Sequence, residues 1–139
     1  MTKKIIVPGI ASAVIMLAVG MALSKAYTTV FPELAKEYAN PALFRPWSDP
    51  VMSWYFVYPI LVGPLLAWIW DETKSAFPET LSRRQKAVRF GLIYWLFSVC
   101  GMLMTYSSFP VSLLMVGSWT LSVLVEGMIA SLILSKLNS

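Results

Sequence analysis

The chain has 139 residues, 58% of them hydrophobic and only 13% charged, with a net charge of +4 and no histidine. That balance excludes a water-soluble globular domain, which needs a polar coat drawn from every element. Here the charges fall in short blocks between long uncharged runs, so lipid is the expected coat. Without histidine the commonest proton shuttle, metal ligand and haem ligand are excluded. With Cys100 as the only cysteine, so are intrachain disulfides and thiolate clusters. No cofactor and no metal is expected. The basic residues flank apolar runs instead of forming a stripe, which reads as membrane topology and not as a nucleic-acid surface.

The first apolar run, residues 5–24, is long enough at ~1.5 Å per residue to cross the ~30 Å hydrocarbon core. Ser24-Lys25-Ala26 has the small-x-small pattern of a signal-peptidase site, but the run exceeds the roughly 7 to 15 residues of a signal h-region, so a retained span is expected. Residues 28–40 read as a short amphipathic helix in the first external loop. Pro32 stands near its start, Glu33, Lys36 and Glu37 face water, and Val30, Phe31, Leu34 and Tyr38 face lipid or the bundle. Pro41, Pro46 and Pro50 then forbid regular helix, and Arg45 and Asp49 are placed to close this loop as an ion pair. Asp49-Pro50 marks the start of the second span, 51–70, because the carboxylate can cap free amides and proline suits a first helical position. The third span, 88–107, is preceded by Thr80 to Lys86, which extends the helix below the membrane surface and brings Arg83, Arg84, Lys86 and Arg89 to lipid head groups. A loop over 106–112 is short enough to force an antiparallel hairpin with the fourth span, 113–134.

Lysine and arginine set the orientation, because basic loops resist translocation. With four spans, Lys3, Lys4, Lys74, Arg83, Arg84, Lys86, Arg89 and Lys136 share one side against Lys25, Lys36 and Arg45 on the other. Eight against three places both termini in the cytoplasm. The expected fold is therefore an all-α integral membrane protein, a single four-transmembrane-helix bundle over residues 1–139, in a prokaryotic inner membrane. Tryptophans and tyrosines cluster toward span ends, as an aromatic belt requires.

Glu126 is the sharpest feature, being the only ionisable side chain well inside a span. A charge there costs roughly 2.5 to 3.5 kcal/mol on insertion scales for the most expensive residue types, so the carboxyl must find a partner, a proton, protein or water. Ser118, Ser122 and Glu126 recur every fourth residue and share one stripe. By position this stripe is expected level with Ser12 on the first span and with Gly63-Pro64 on the second. There Pro59 and Pro64 each remove an amide and free a carbonyl. Two uses are open: an interhelix lock in which neutral Glu126 donates to the carbonyl freed by Pro64, or an ion or proton site beside a broken helix. Small-xxx-small pairs at Gly9/Ala13, Gly20/Ser24, Gly101/Thr105 and Gly127/Ser131 offer close helix contacts, within the chain or between copies.

In size and in its single buried acid the chain resembles, in architecture alone, the small multidrug resistance transporters, four-span proteins built around one such residue. There the acid lies in the first span and here in the fourth, so no residue carries over. No G-x-S-x-G, HExxH or P-loop is present, and Asp71-Glu72 read as a solvated helix end. The expected function is that of a noncatalytic protein, self-associating or an accessory subunit of a larger membrane complex. The alternative is a small proton-coupled transporter or channel using Glu126.

Overall fold

A computed structural model describes residues 3–138. Among them there is no strand: the elements are α1 (Lys3–Val30), α2 (Pro32–Tyr38), α3 (Trp54–Thr73), α4 (Arg83–Ser108) and α5 (Leu113–Leu137), with 3-10 turns at Pro50–Ser53 and Lys74–Ala76. Four of these stretches, Lys3–Val30, Pro50–Ala76, Arg83–Ser108 and Leu113–Leu137, are long and apolar enough to cross a membrane.

Local chemistry explains the boundaries. α1 runs unbroken through Ser24-Lys25-Ala26 to Val30, and so takes residues 28–30 from the separate helix expected over 28–40. The break falls at Phe31, which adopts an extended φ of -120° and ψ of 90°. A residue that precedes proline is pushed out of the helical region by the pyrrolidine ring, and Pro32 then starts α2. At Asp49 the carboxylate accepts from the Val51 amide at 2.9 Å and opens the turn leading into α3. Ser82 and Gln85 form a capping box at the start of α4, Ser82 N–H donating to Gln85 Oε1 at 2.8 Å. Ser112 caps α5 through the Met115 amide at 3.1 Å.

The long helices are arranged as an incomplete square. α1 packs on α3 and on α5, α5 packs on α4, and α3 scarcely touches α4. At the α1–α3 contact the backbones meet: a methyl group placed on Gly9 would lie 2.5 Å from Pro64 Cα, and one on Gly63 would meet the Gly9 carbonyl and Ala13. At the α4–α5 contact Gly91 and Gly127 play the same part, beside Ser131 and the Tyr94 ring, and Trp95 Nε1 donates to the Thr120 carbonyl at 3.0 Å. Of the four small-residue pairs, Gly101/Thr105 makes no helix contact within the chain. Nothing lies within 4 Å of a methyl at Gly101, and Thr105 hydroxyl bonds the Gly101 carbonyl of its own helix at 2.9 Å.

Each end of the square is closed separately. At the end carrying Lys3 and Asn138, Ile5, Trp70, Phe90 and Leu134 share an apolar cluster, and Trp70 stacks edge-on to Phe90 with ring centroids 5.4 Å apart. Trp70 Nε1 donates to the Asn138 carbonyl and Lys74 Nζ to Asn138 Oδ1, both at 2.8 Å. At the far end α2 folds over the start of α5, burying Leu34 with Val111, Met115 and Val116.

Candidate functional site

Glu126 is the fourteenth of the 25 residues of α5 and so lies at mid-depth of the bundle. Its carboxylate points at α1, where a methyl on Gly20 would sit 2.6 Å from Oε1. Glycine at position 20 thus provides the notch that the carboxyl occupies. From α4, the Tyr94 ring packs on Gly127 and its phenol lies within electrostatic reach of Glu126 and beside that of Tyr58 on α3. Tyr55, also on α3, lies within electrostatic reach of the same carboxylate. All four long helices therefore contribute to the surroundings of Glu126, on the sparsely packed side of the square where α3 and α4 touch through side chains such as Trp70 and Phe90.

The site is open. Among the described residues Glu126 has no hydrogen-bond or ion-pair partner, only the burial of its surroundings. The buried side-chain polar atoms without a partner are Ser12 Oγ and Asn138 Nδ2, so the equally unpartnered oxygens of Glu126 still reach the surface. On α3, Tyr55 and Tyr58 are 43% and 61% exposed. A carboxylate and three phenols can together accept, donate and present ring faces, which is a set suited to a cation.

The expected stripe is only partly assembled. Ser122 is half-buried one turn from Glu126. Ser118 bonds the Met115 carbonyl at 2.7 Å and lines a separate shallow groove with Tyr27 and Phe31. Ser12 and Pro64 do not join Glu126. Pro64 belongs to the Gly9 contact, and Ser12 precedes Gly20 by eight residues, roughly 12 Å of helix rise. Glu126 makes no hydrogen bond among the described residues, so the expected lock through the carbonyl freed by Pro64 is not formed. Its expected depth assumed that the first span is centred within residues 5–24, whereas α1 continues to Val30 and slides Gly20 into register with Glu126.

The polar contacts at the far end have the following geometry. Arg45 Nη1 lies 2.9 Å from Asp49 Oδ2. The Val51 amide and then Arg45 hold the Asp49 carboxyl below its ordinary range. Glu37, expected to face water, instead accepts from the Ser112 amide and hydroxyl, each at 2.6 Å. The sequence carries no mark of this pairing, since 75 residues separate the partners. Tyr38 Oη accepts from Trp119 Nε1 at 2.6 Å, and burial raises the Tyr38 phenol above its ordinary value, against the lowering effect of Trp119. A phenol raised on folding contributes its stability below its unfolded pKa and loses it as pH climbs past that value. Alkaline titration from about pH 10 should accordingly loosen α2 from α5, seen as a change in Trp119 fluorescence. The part of that change due to this contact should vanish in Tyr38→Phe, and an identical alkaline response in that variant would refute the assignment.

At the opposite end Arg83, Arg84 and Arg89 are exposed and Lys86 is half-buried. Arg84 and Arg89 border a shallow depression with Leu81, Ser82, Gln85 and Val88. No group of three or more potential metal-ligating His, Cys, Asp or Glu side chains occurs among the described residues.

No family model, no curated protein and no solved structure matches the chain.

Proposed function

We propose that this is a noncatalytic integral membrane protein that acts by association, with its own kind or as an accessory subunit of a larger membrane complex. The observation that carries this reading is the sparsely packed side between α3 and α4, where Glu126 stands at mid-depth with no partner among the described residues. A soluble protein would close such a gap to bury its apolar walls, but in lipid those walls are already solvated. The gap therefore persists at little cost, and the carboxylate inside it supplies the drive for another element to enter. The eight-to-three distribution of basic residues supports an orientation with both termini in the cytoplasm of a prokaryotic inner membrane, the α2 segment outside, and Arg83, Arg84, Lys86 and Arg89 among anionic head groups.

Crosslinking in native membranes followed by sizing in mild detergent tests the proposal. Species well above the 15.5 kDa of one chain are expected, weakened by Glu126→Gln. A monomer with no crosslinked neighbour would remove the basis of this reading.

The tyrosines around the open carboxylate favour one second reading, a small proton-coupled transporter or channel. In that case Glu126→Gln, which preserves shape but cannot ionise, abolishes proton-linked flux in liposomes while the helical signal is retained. Unchanged flux rejects it.

A further inference from the structure

The sparse packing between α3 and α4, beside a carboxylate without a partner among the described residues, indicates by its chemistry what kind of element completes it. Resting on the associative reading above, we infer that its occupant is a transmembrane helix of a different protein, carrying a lysine or arginine at mid-depth that pairs with Glu126. Lipid tails cannot be the functional occupant, because hydrocarbon leaves the carboxylate as unpaired as before. A second copy of this chain cannot supply the cation either. Its basic residues lie near helix ends: the nearest to the site on α1 is Lys25, five residues beyond Gly20, and on α4 it is Arg89, five residues before Tyr94. Both are exposed, and each has a shorter path to the head groups than to mid-depth. Copies related by rotation about the membrane normal keep these depths, so the same face apposed to itself sets Glu126 against Glu126.

A foreign lysine or arginine meets a complete set of partners. The carboxylate offers two acceptor oxygens, of which Oε1 packs on Gly20. Tyr55, Tyr58 and Tyr94 add phenol oxygens and ring faces that attract a cation. Each charge is costly alone in its own helix, and that mutual cost is removed when the two meet, which makes the contact selective as well as attractive. The exposed surfaces of α3 and α4 suit a helix: Tyr58 and Phe97 are 61% and 83% exposed on them, and both are apolar over most of their surface.

The test uses the full chain in lipid vesicles, with energy transfer measured to model transmembrane helices of leucine and alanine. The helices carry a single central lysine, or leucine in its place. The lysine helix should associate about tenfold more strongly than the leucine helix, as expected for one strong interhelical polar contact. Glu126→Gln should bring the two level. Independently of any variant, the lysine helix should protect wild-type Glu126 from labelling by a hydrophobic carbodiimide. Equal association of the two helices with wild-type protein overturns the inference. So does Glu126-dependent energy transfer between copies of the chain without a preference for lysine, an outcome that leaves association standing and makes the partner a second copy. If dodecylammonium protects Glu126 while the lysine helix gains nothing, the occupant is a small cationic amphiphile, and the inference also falls. Failure of association itself is read separately, from the crosslinking experiment.

Discussion

Gly63→Ala and Gly9→Ala should each destabilise the protein by about 3 kcal/mol, near the upper end of the usual cost of overpacking. An added methyl on Gly63 meets the Gly9 carbonyl and, at 2.8 and 2.9 Å, the Cβ and N of Ala13; one on Gly9 meets Pro64 Cα at 2.5 Å and Pro64 N at 2.8 Å. All but one of these neighbours are backbone atoms, and the exception is itself a Cβ, so no flexible side chain can swing aside. The helices must separate, and separation uncovers the contacts of Ala13, Leu66 and Ala67, which are buried in the same region. Lipid weakens the usual hydrophobic penalty for such a separation, but not the loss of dispersion contacts that holds membrane helices together. Gly101→Ala and Gly117→Ala supply the contrast. Nothing lies within 4 Å of either added methyl, and alanine is a better helix former by about 1 kcal/mol in water, so both should be neutral or slightly stabilising. Unfolding by denaturing detergent from mild micelles measures all four. Equal stability of Gly63→Ala and Gly101→Ala would contradict the proposed contact.

Gly9/Ala13 and Gly101/Thr105 also mark how far the sequence can be read. Both have the same spacing, yet one lies at a helix contact and the other faces open surroundings, because spacing tells which residues share a face and not which face meets a neighbour. The four apolar helices were legible because bilayer thickness sets a length that composition alone satisfies. So was the N-capping role of Asp49, since its chemistry is local. Glu126 was legible as an anomaly. Its surroundings were not: Gly20, Tyr55, Tyr58 and Tyr94 come from three other helices, and their meeting depends on axial register. An error of a few residues in the end of α1 displaced the expected level by about two turns, toward Ser12 and Pro64. The Glu37–Ser112 contact was illegible for the same reason, as a surface carboxylate on a short amphipathic segment looks solvated until the tertiary position of α2 is known.

That contact carries the second large effect. Glu37→Ala should cost about 2 kcal/mol, because it removes two charge-assisted hydrogen bonds at a site where water can replace part of what is lost. Ser112 N–H and Oγ–H both point at the carboxylate at 2.6 Å, and the start of α5 presents its unpaired amides and the positive end of its dipole to the same charge. Because Ser112 Oγ also accepts from the Met115 amide at 3.1 Å, Glu37 orients the hydroxyl that caps the helix. Its removal therefore disturbs the cap as well as the clasp. The release should be local. α2 holds to α5 otherwise through buried Leu34 and the Tyr38–Trp119 bond, and with Glu37 gone, trypsin should cut faster after the exposed Lys36, while the long helices remain folded. Glu37→Gln, which keeps one acceptor oxygen without the charge, should fall about midway. A double-mutant cycle with Ser112→Ala separates the clasp from the cap: a coupling of at least about 1 kcal/mol is expected for a charged hydrogen bond. Additive losses, with tryptic cleavage unchanged, would mean that α2 is held by its apolar face alone.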